Sequence, residues 1–280
     1  MKRLSILFAA ALLALIPTAC ENDGGGNGEA TGFEGEWIAI KDDYHPLTIT
    51  FEGKTYVWEV KGIAPRRDKG TFTYEGGYLT LNATENYEPD DETGKMKKVG
   101  NGGKAYHKYQ ILLLEGNVCV AKSVVNDFFA EGWKMYWTRG TDKQDIKESS
   151  LKGTWVSEDE NGSKYIFTFD GKNYVYYCMS QYNVRVGEEW VLKTGCIKET
   201  GSWEHKSGIL KLTPNHLYYS YENLKEGTVY YEVNEETGEA ETWVEAPASH
   251  LYPGEYELHL SGNSVYVGMD MTALVFTKKD

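Results

Sequence analysis

Gly35-Glu36-Trp37, followed by Thr50-Phe51-Glu52-Gly53-Lys54-Thr55-Tyr56-Val57, returns as Gly153-Thr154-Trp155 and Thr168-Phe169-Asp170-Gly171-Lys172-Asn173-Tyr174-Val175. Every matched pair is separated by 118 residues. Self-similarity at one long period predicts two copies of one domain. Within the block, Leu47, Ile49 and Phe51 alternate with polar neighbours, as do Tyr165, Phe167 and Phe169. That is the period of a half-buried strand. Glu52-Gly53 and Asp170-Gly171 supply the tight turn, because Gly accepts the positive φ of a short hairpin. The return strands point Tyr56, Trp58 and Val60 inward in the first copy, and Tyr174, Tyr176 and Cys178 in the second.

The match continues with drifting offset. Lys69-Gly70-Thr71-Phe72 matches Thr200-Gly201-Ser202-Trp203, and Gly77 to Leu81 matches Gly208 to Leu212, both at 131 residues. Thirteen extra residues therefore lie between Tyr174 and Gly201, and insertions of this kind are expected in loops. Glu92-Thr93-Gly94 matches Glu236-Thr237-Gly238 at 144, and the closing strands, ending at Arg139 and Lys278, match at 139. Each copy then holds about eight locally connected strands, and only Val124 to Glu131 suggests a turn of helix. A meander with one apolar face hides its edges by closing into a barrel. The expected fold is all-β, with two tandem antiparallel eight-stranded up-and-down barrels over 33–139 and 151–280. Two β-sandwiches are the alternative. Residues 140–150 are polar and charged, with Ile146 the single large apolar side chain, and read as a linker.

The N-terminus reads as a targeting segment. Lys2 and Arg3 precede an apolar stretch, Leu4 to Ile16, too short to span a membrane comfortably. Pro17-Thr18-Ala19-Cys20 follows and resembles the lipobox of bacterial lipoproteins, with Pro17 a departure from the usual Leu, Val or Ile. The resemblance implies a signal peptide over 1–19, lipidation at Cys20, and a tether over 20–32 rich in Gly. It places the protein in the bacterial cell envelope, at the outer membrane or cell surface. The formal charge is −13, and removing Lys2 and Arg3 leaves −15, the wrong sign for nucleic acid or an anionic lipid surface. Membrane attachment is then through the anchor alone.

Gly-x-Trp on the first strand, with a basic residue closing the last, resembles the lipocalin and wider calycin pattern. The resemblance implies that Trp37 and Trp155 pack at the closed barrel ends, beneath cations from Arg139 and from Lys278 or Lys279. The helix after the barrel and the Thr-Asp motif of classical lipocalins are missing from the sequence. The copies look more like the compact lipocalin-like domains of many bacterial lipoproteins.

Catalytic and metal patterns are sparse. The six histidines form no His-x-x-x-His set and no Cys-x-x-Cys occurs, so no metal site or cofactor is expected. Gly-x-Ser-x-Gly is missing too, and the chain reads as a non-enzyme. Asp90-Asp91-Glu92-Thr93-Gly94 and Asp159-Glu160-Asn161-Gly162 fit turns better than calcium loops. Strand alternation puts Cys178 inside and Cys196 outside, against a disulfide between them. Two functions remain. In the first, a barrel holds a small apolar or sugar-like ligand against Tyr174, Tyr176, Trp203 and His205, with Trp190 at the mouth. Trp58 and Tyr74 are the first-copy counterparts. In the second, both barrels are filled and aromatic outer faces dock an envelope protein or glycan.

Overall fold

The structure is a computed structural model that describes residues 32–41, 45–101, 106–126, 129–140, 144, 146–159, 162–186, 189–224, 227–269 and 272–279. The expected leader, Cys20 and the tether up to residue 31 lie outside the described residues. Residues 31–280 form one compact unit.

The first copy contains β1 (Gly35–Ile40), β2 (Leu47–Glu52), β3 (Thr55–Val60), β4 (Arg66–Glu75), β5 (Tyr78–Pro89), β6 (Met96–Gly100), β7 (Tyr106–Glu115), β8 (Val118–Val125) and β9 (Lys134–Thr138). The sheet closes through β1–β9 and β4–β5 pairing, so eight strands make an antiparallel barrel and β6 lies beyond it, on β5. The second copy contains β10 (Gly153–Glu158), β11 (Lys164–Asp170), β12 (Asn173–Val186), β13 (Glu189–Lys206), β14 (Ile209–Tyr219), β15 (Tyr221–Leu224), β16 (Gly227–Tyr230), β17 (Val244–Glu245), β18 (Gly254–Ser261), β19 (Ser264–Met269) and β20 (Thr272–Lys278). Here β10–β20 and β13–β14 pairing closes eight strands, β17 is the added strand on β14, and β15–β16 is a separate hairpin. The fold is all-β, with two closed eight-stranded barrels in tandem. Closure pairs the strand edges that a sandwich would leave open.

Two sequence expectations change. The thirteen extra residues of copy two are not a loop, because β12 and β13 stay paired through Val186↔Glu189. Their flanking partners stop earlier, at Lys164↔Met179 and Ile197↔Tyr219. The insertion therefore lengthens a hairpin. Alternation of Tyr182 and Val184 with Gln181, Asn183 and Arg185 carries the strand onward. The described residues of 124–131 are strand end and turn rather than helix.

The barrels meet through outer faces. Val118, Val120 and Tyr136 of β8–β9 cluster with Tyr266 and Ala273 of β19–β20. A Cβ on Gly268 would lie 2.8 Å from the Tyr136 ring, so only Gly lets that ring rest on the β19 backbone. Glu148–Leu151 is a short helix, α1. Gln144 bonds both backbone groups of Leu260, at 2.8 and 2.9 Å, and so satisfies the edge of β18 beyond its pairing with β14.

Candidate functional site

Each barrel has a sealed end, where the tight hairpins lie. Trp37 donates its indole N–H to the Phe33 carbonyl at 2.6 Å, and Trp155 donates to Leu151 at 2.7 Å. Phe33 and Leu151 are themselves fully buried plugs. The Arg139 guanidinium lies 4.9 Å from the Trp37 ring centre and the Lys278 ammonium 5.3 Å from that of Trp155. The glycine of Gly-x-Trp acquires a reason here. Gly35 and Gly153 have φ of +101° and +118°, and a Cβ would meet Arg139 Cδ at 3.3 Å or Lys278 Cε at 3.2 Å. The aliphatic stem of the cation occupies the space a side chain would need.

Above the sealed end, barrel 1 carries large aromatic side chains. Trp37, Trp58, Trp137, Tyr56, Tyr109 and Phe51 are all fully buried. Trp58 stacks on His107 with centroids 5.1 Å apart, and Tyr74 meets Phe33 edge-on at 5.2 Å. Trp58 is thus a core side chain, and the half-buried Tyr74 packs against that core.

Inside each barrel the same lattice point carries a carboxylate that the sequence reading missed. Asp68 sits opposite Trp58, and Glu199 opposite Tyr176. Alternation could have found them, since Asp68 and Glu199 each lie two residues before an inward Gly. Asp68 accepts from Asn86 at 2.6 Å and faces Arg66 at 3.2 Å and His107 at 3.6 Å. Burial alone would raise its pKa, but His107, Asn86 and Arg66 together hold it below the usual carboxylate range. Glu199 accepts from the Tyr174 hydroxyl at 2.5 Å. Burial dominates there and pushes its pKa up, against the opposing hydrogen bond.

The second-copy candidates separate along the barrel. Trp203 and His205 lie at the sealed end, where Trp203 packs edge-on against Phe169 at 5.2 Å and His205 pairs with Leu210. Tyr174 and Tyr176 reach further toward the open end, beside Glu199. Positions there are more open than in barrel 1. Tyr165, Phe167 and Tyr176 are half-buried, whereas their counterparts Leu47, Ile49 and Trp58 are fully buried. Trp190 is not with this set. It pairs with Arg185 on the outer face of the hairpin extension and is 70% exposed. Leu192, 55% exposed, shares that face. Tyr182, Tyr221 and Tyr230 group on the other side, with ring centroids 5.7 to 6.2 Å apart. Gly195 leaves room for them, since a Cβ there would lie 2.9 Å from Tyr182 and 3.4 Å from Tyr221.

Two open concavities lie on the outside of barrel 2. One, about 270 Å³, is lined by Glu158, Lys164, Met179, Gln181, Thr194 and Glu235. The other, about 210 Å³, runs between Leu192–Thr194 and Tyr230–Val233. Among the described residues, Cys119, Cys178 and Cys196 are free. Cys178 faces in, Cys196 faces out, and burial pushes the Cys196 thiol up to about 12, so neither is poised as a nucleophile. No family model, curated protein or solved structure matches this chain.

Proposed function

We propose that the chain is an exported, lipid-anchored protein of the bacterial cell envelope, built of two lipocalin-like domains, that acts without catalysis as an interaction module. Its partner class is an envelope protein or glycan. The docking element is the hairpin extension of barrel 2 together with the β15–β16 hairpin. One observation carries the reading. The two copies share their sealed ends and their inward carboxylate, and they diverge where copy two adds strands bearing the exposed Trp190, Leu192 and Val229. Burying large apolar groups of this kind is the main source of affinity at such surfaces.

The test is removal of residues 181–194, rejoining the hairpin with a tight turn while both barrels keep their closing strands. Association with envelope fractions or immobilised glycans should be present in the full chain and absent after truncation. Association that survives truncation overturns the reading. A second reading, a small ligand at the mouth of barrel 2, draws on the half-buried Tyr165, Phe167 and Tyr176 beside Glu199. A small molecule that co-purifies and is released by Tyr176→Phe with Glu199→Gln would favour it instead.

A further inference from the structure

β13 hydrogen-bonds to β14 only from Ile197 onward. From Glu189 to Gly195 the side facing away from β12 has no strand partner among the described residues. From Leu192 to Thr194 a groove of about 210 Å³ separates this edge from the chain's own Tyr230–Val233, and Glu189, Trp190 and Val191 lie outside it. Free edges in stable proteins are blunted by Pro, bulges or charge, because they otherwise template further pairing. Residues 189–193 contain no Pro, their pairing with β12 runs without a bulge, and the two charges they carry, Glu189 and Lys193, are of opposite sign.

The sequence of this edge is complementary to itself read backwards. In antiparallel pairing about a twofold axis at Val191, Glu189 faces Lys193 of a second copy, Trp190 faces Leu192, and Val191 faces Val191. Each pair occurs twice. Opposite-charge and aromatic–aliphatic cross-strand pairs are the favourable ones, and like charges directly opposite are the costly ones. Moving the axis to Leu192 sets Glu189 against Gly195 and Lys193 against Val191, and both ion pairs are lost. The register at Val191 also extends what β12 already presents. Val184 pairs with Val191 and Asn183 with Leu192, so a four-stranded sheet would carry a Val184–Val191–Val191–Val184 row on one face. The other face would cover both exposed Trp190 rings with Leu192.

We infer that this edge is a homodimerisation strand, pairing antiparallel with the same edge of a second copy of this chain. The inference rests on the extension being a docking element and names its occupant. The two ion pairs make a symmetric test. Residues 21–280 are examined by sedimentation velocity up to about 200 µM, where a small interface of this kind should show reversible dimer. Lys193→Glu or Glu189→Lys alone places like charges opposite each other and should weaken the dimer at least about tenfold. The double swap restores both ion pairs and should restore the dimer. Val191→Cys supplies an independent readout, because two thiols at the twofold axis should cross-link under mild oxidation, whereas Lys193→Cys should not. A chain that stays monomeric overturns the proposal, as does a dimer insensitive to the single reversals or not restored by the swap. A monomer that still loses its envelope partner on truncation of 181–194 would overturn self-pairing and leave the docking reading standing.

Discussion

Arg139→Ala should cost barrel 1 several times what Lys278→Ala costs barrel 2. Both cations cover the indole of a Gly-x-Trp motif, at 4.9 and 5.3 Å. A cation over an indole contributes about 0.5–2 kcal/mol. Arg139 does more, because its fork also donates to the carbonyls of Glu34 and Gly116, the latter at 3.1 Å. Each such bond from a half-exposed charged donor adds about 1 kcal/mol. The Lys278 ammonium has no matching carbonyl among the described residues. The expected losses are about 2–4 kcal/mol for Arg139→Ala and about 0.5–1 kcal/mol for Lys278→Ala. Because the barrels form one compact unit, a global melt would blur the difference. Native-state hydrogen exchange resolves it, read at the amides of Trp37 and Ile38 against those of Trp155 and Val156. Protection in β1 should fall about 30- to 1,000-fold in Arg139→Ala, and in β10 by less than about tenfold in Lys278→Ala. Arg139→Lys keeps a cation and an aliphatic stem over Gly35 but loses the fork, so it should fall between wild type and Arg139→Ala. Equal losses in the two alanine variants, or a fully stable Arg139→Lys, would refute the assignment of the excess to the carbonyl bonds.

Gly70→Ala and Gly201→Ala should each unfold their own barrel, because a Cβ would sit 1.9 Å from the Asn82 carbonyl oxygen or 2.2 Å from that of Thr213. Circular dichroism of the purified variants decides this, and a soluble, fully folded variant would contradict it. Gly268→Ala drives a methyl into the Tyr136 ring and should loosen the barrels from each other while each stays folded. Faster proteolysis within 140–150 with unchanged strand content is the expected signature. The two inward carboxylates should give opposite pH responses. Asp68 has a depressed pKa, so its contribution is complete above the ordinary carboxylate value of about 3.9 and is lost as pH falls through the folded-state value. Glu199 has a raised pKa, so barrel 2 should gain stability as pH falls through that raised value toward the ordinary one. Barrel-resolved hydrogen exchange from pH 7 to pH 3 checks both signs, and Asp68→Asn should abolish the acid loss in barrel 1.

The architecture was legible because duplication repeated every signal. Gly53 and Gly171 mark the same hairpin, and Gly70 and Gly201 the same bulge, where the ladder to the next strand shifts register beside the glycine. Two copies of a weak motif constrain the fold more than one does, since chance would have to repeat itself in register. The hairpin turn Asp90–Lys95 was half legible in the same way. Asp90 and Asn234 each accept from the backbone N–H groups two and three residues on, at 3.0 to 3.2 Å and 2.9 to 3.1 Å. Glu-Thr-Gly alone identified the match, and the capping residue before it did not stand out because Asp and Asn differ in charge. The insertion was misplaced as a loop because length drift between copies looks the same whether a chain wanders or extends a ladder. The candidate site was less legible. Inward alternation put Trp203 and His205 on the same wall as Tyr176, but alternation gives a face and not a depth, and depth decides which side chains meet an opening.

Depth and cover also decide which differences between the copies call for a function. On the outer face of barrel 1, Glu59, Arg67, Tyr87 and Lys98 lie in one cross-strand row, with Glu59 and Arg67 ion-paired. The matching row in barrel 2 is Tyr177, Lys198, Tyr218 and Glu245. There Val233 and Trp243 pack over Tyr177, and Lys198 lies 5.4 and 5.3 Å from the Tyr177 and Trp243 rings. The exchange of ions for aromatics is therefore accounted for by the segment that covers them, as a small second core outside the barrel. A similar account holds for Tyr182, whose ring fills the space above Gly195. It does not hold for Trp190 and Leu192. They are 70% and 55% exposed and belong to no buried cluster among the described residues, and an exposed indole near a strand edge makes aggregation easier without making the fold more stable. A side chain that folding does not use is the place to look for a partner, and the pairing of Glu189 with Lys193 across a twofold axis says which partner to try first.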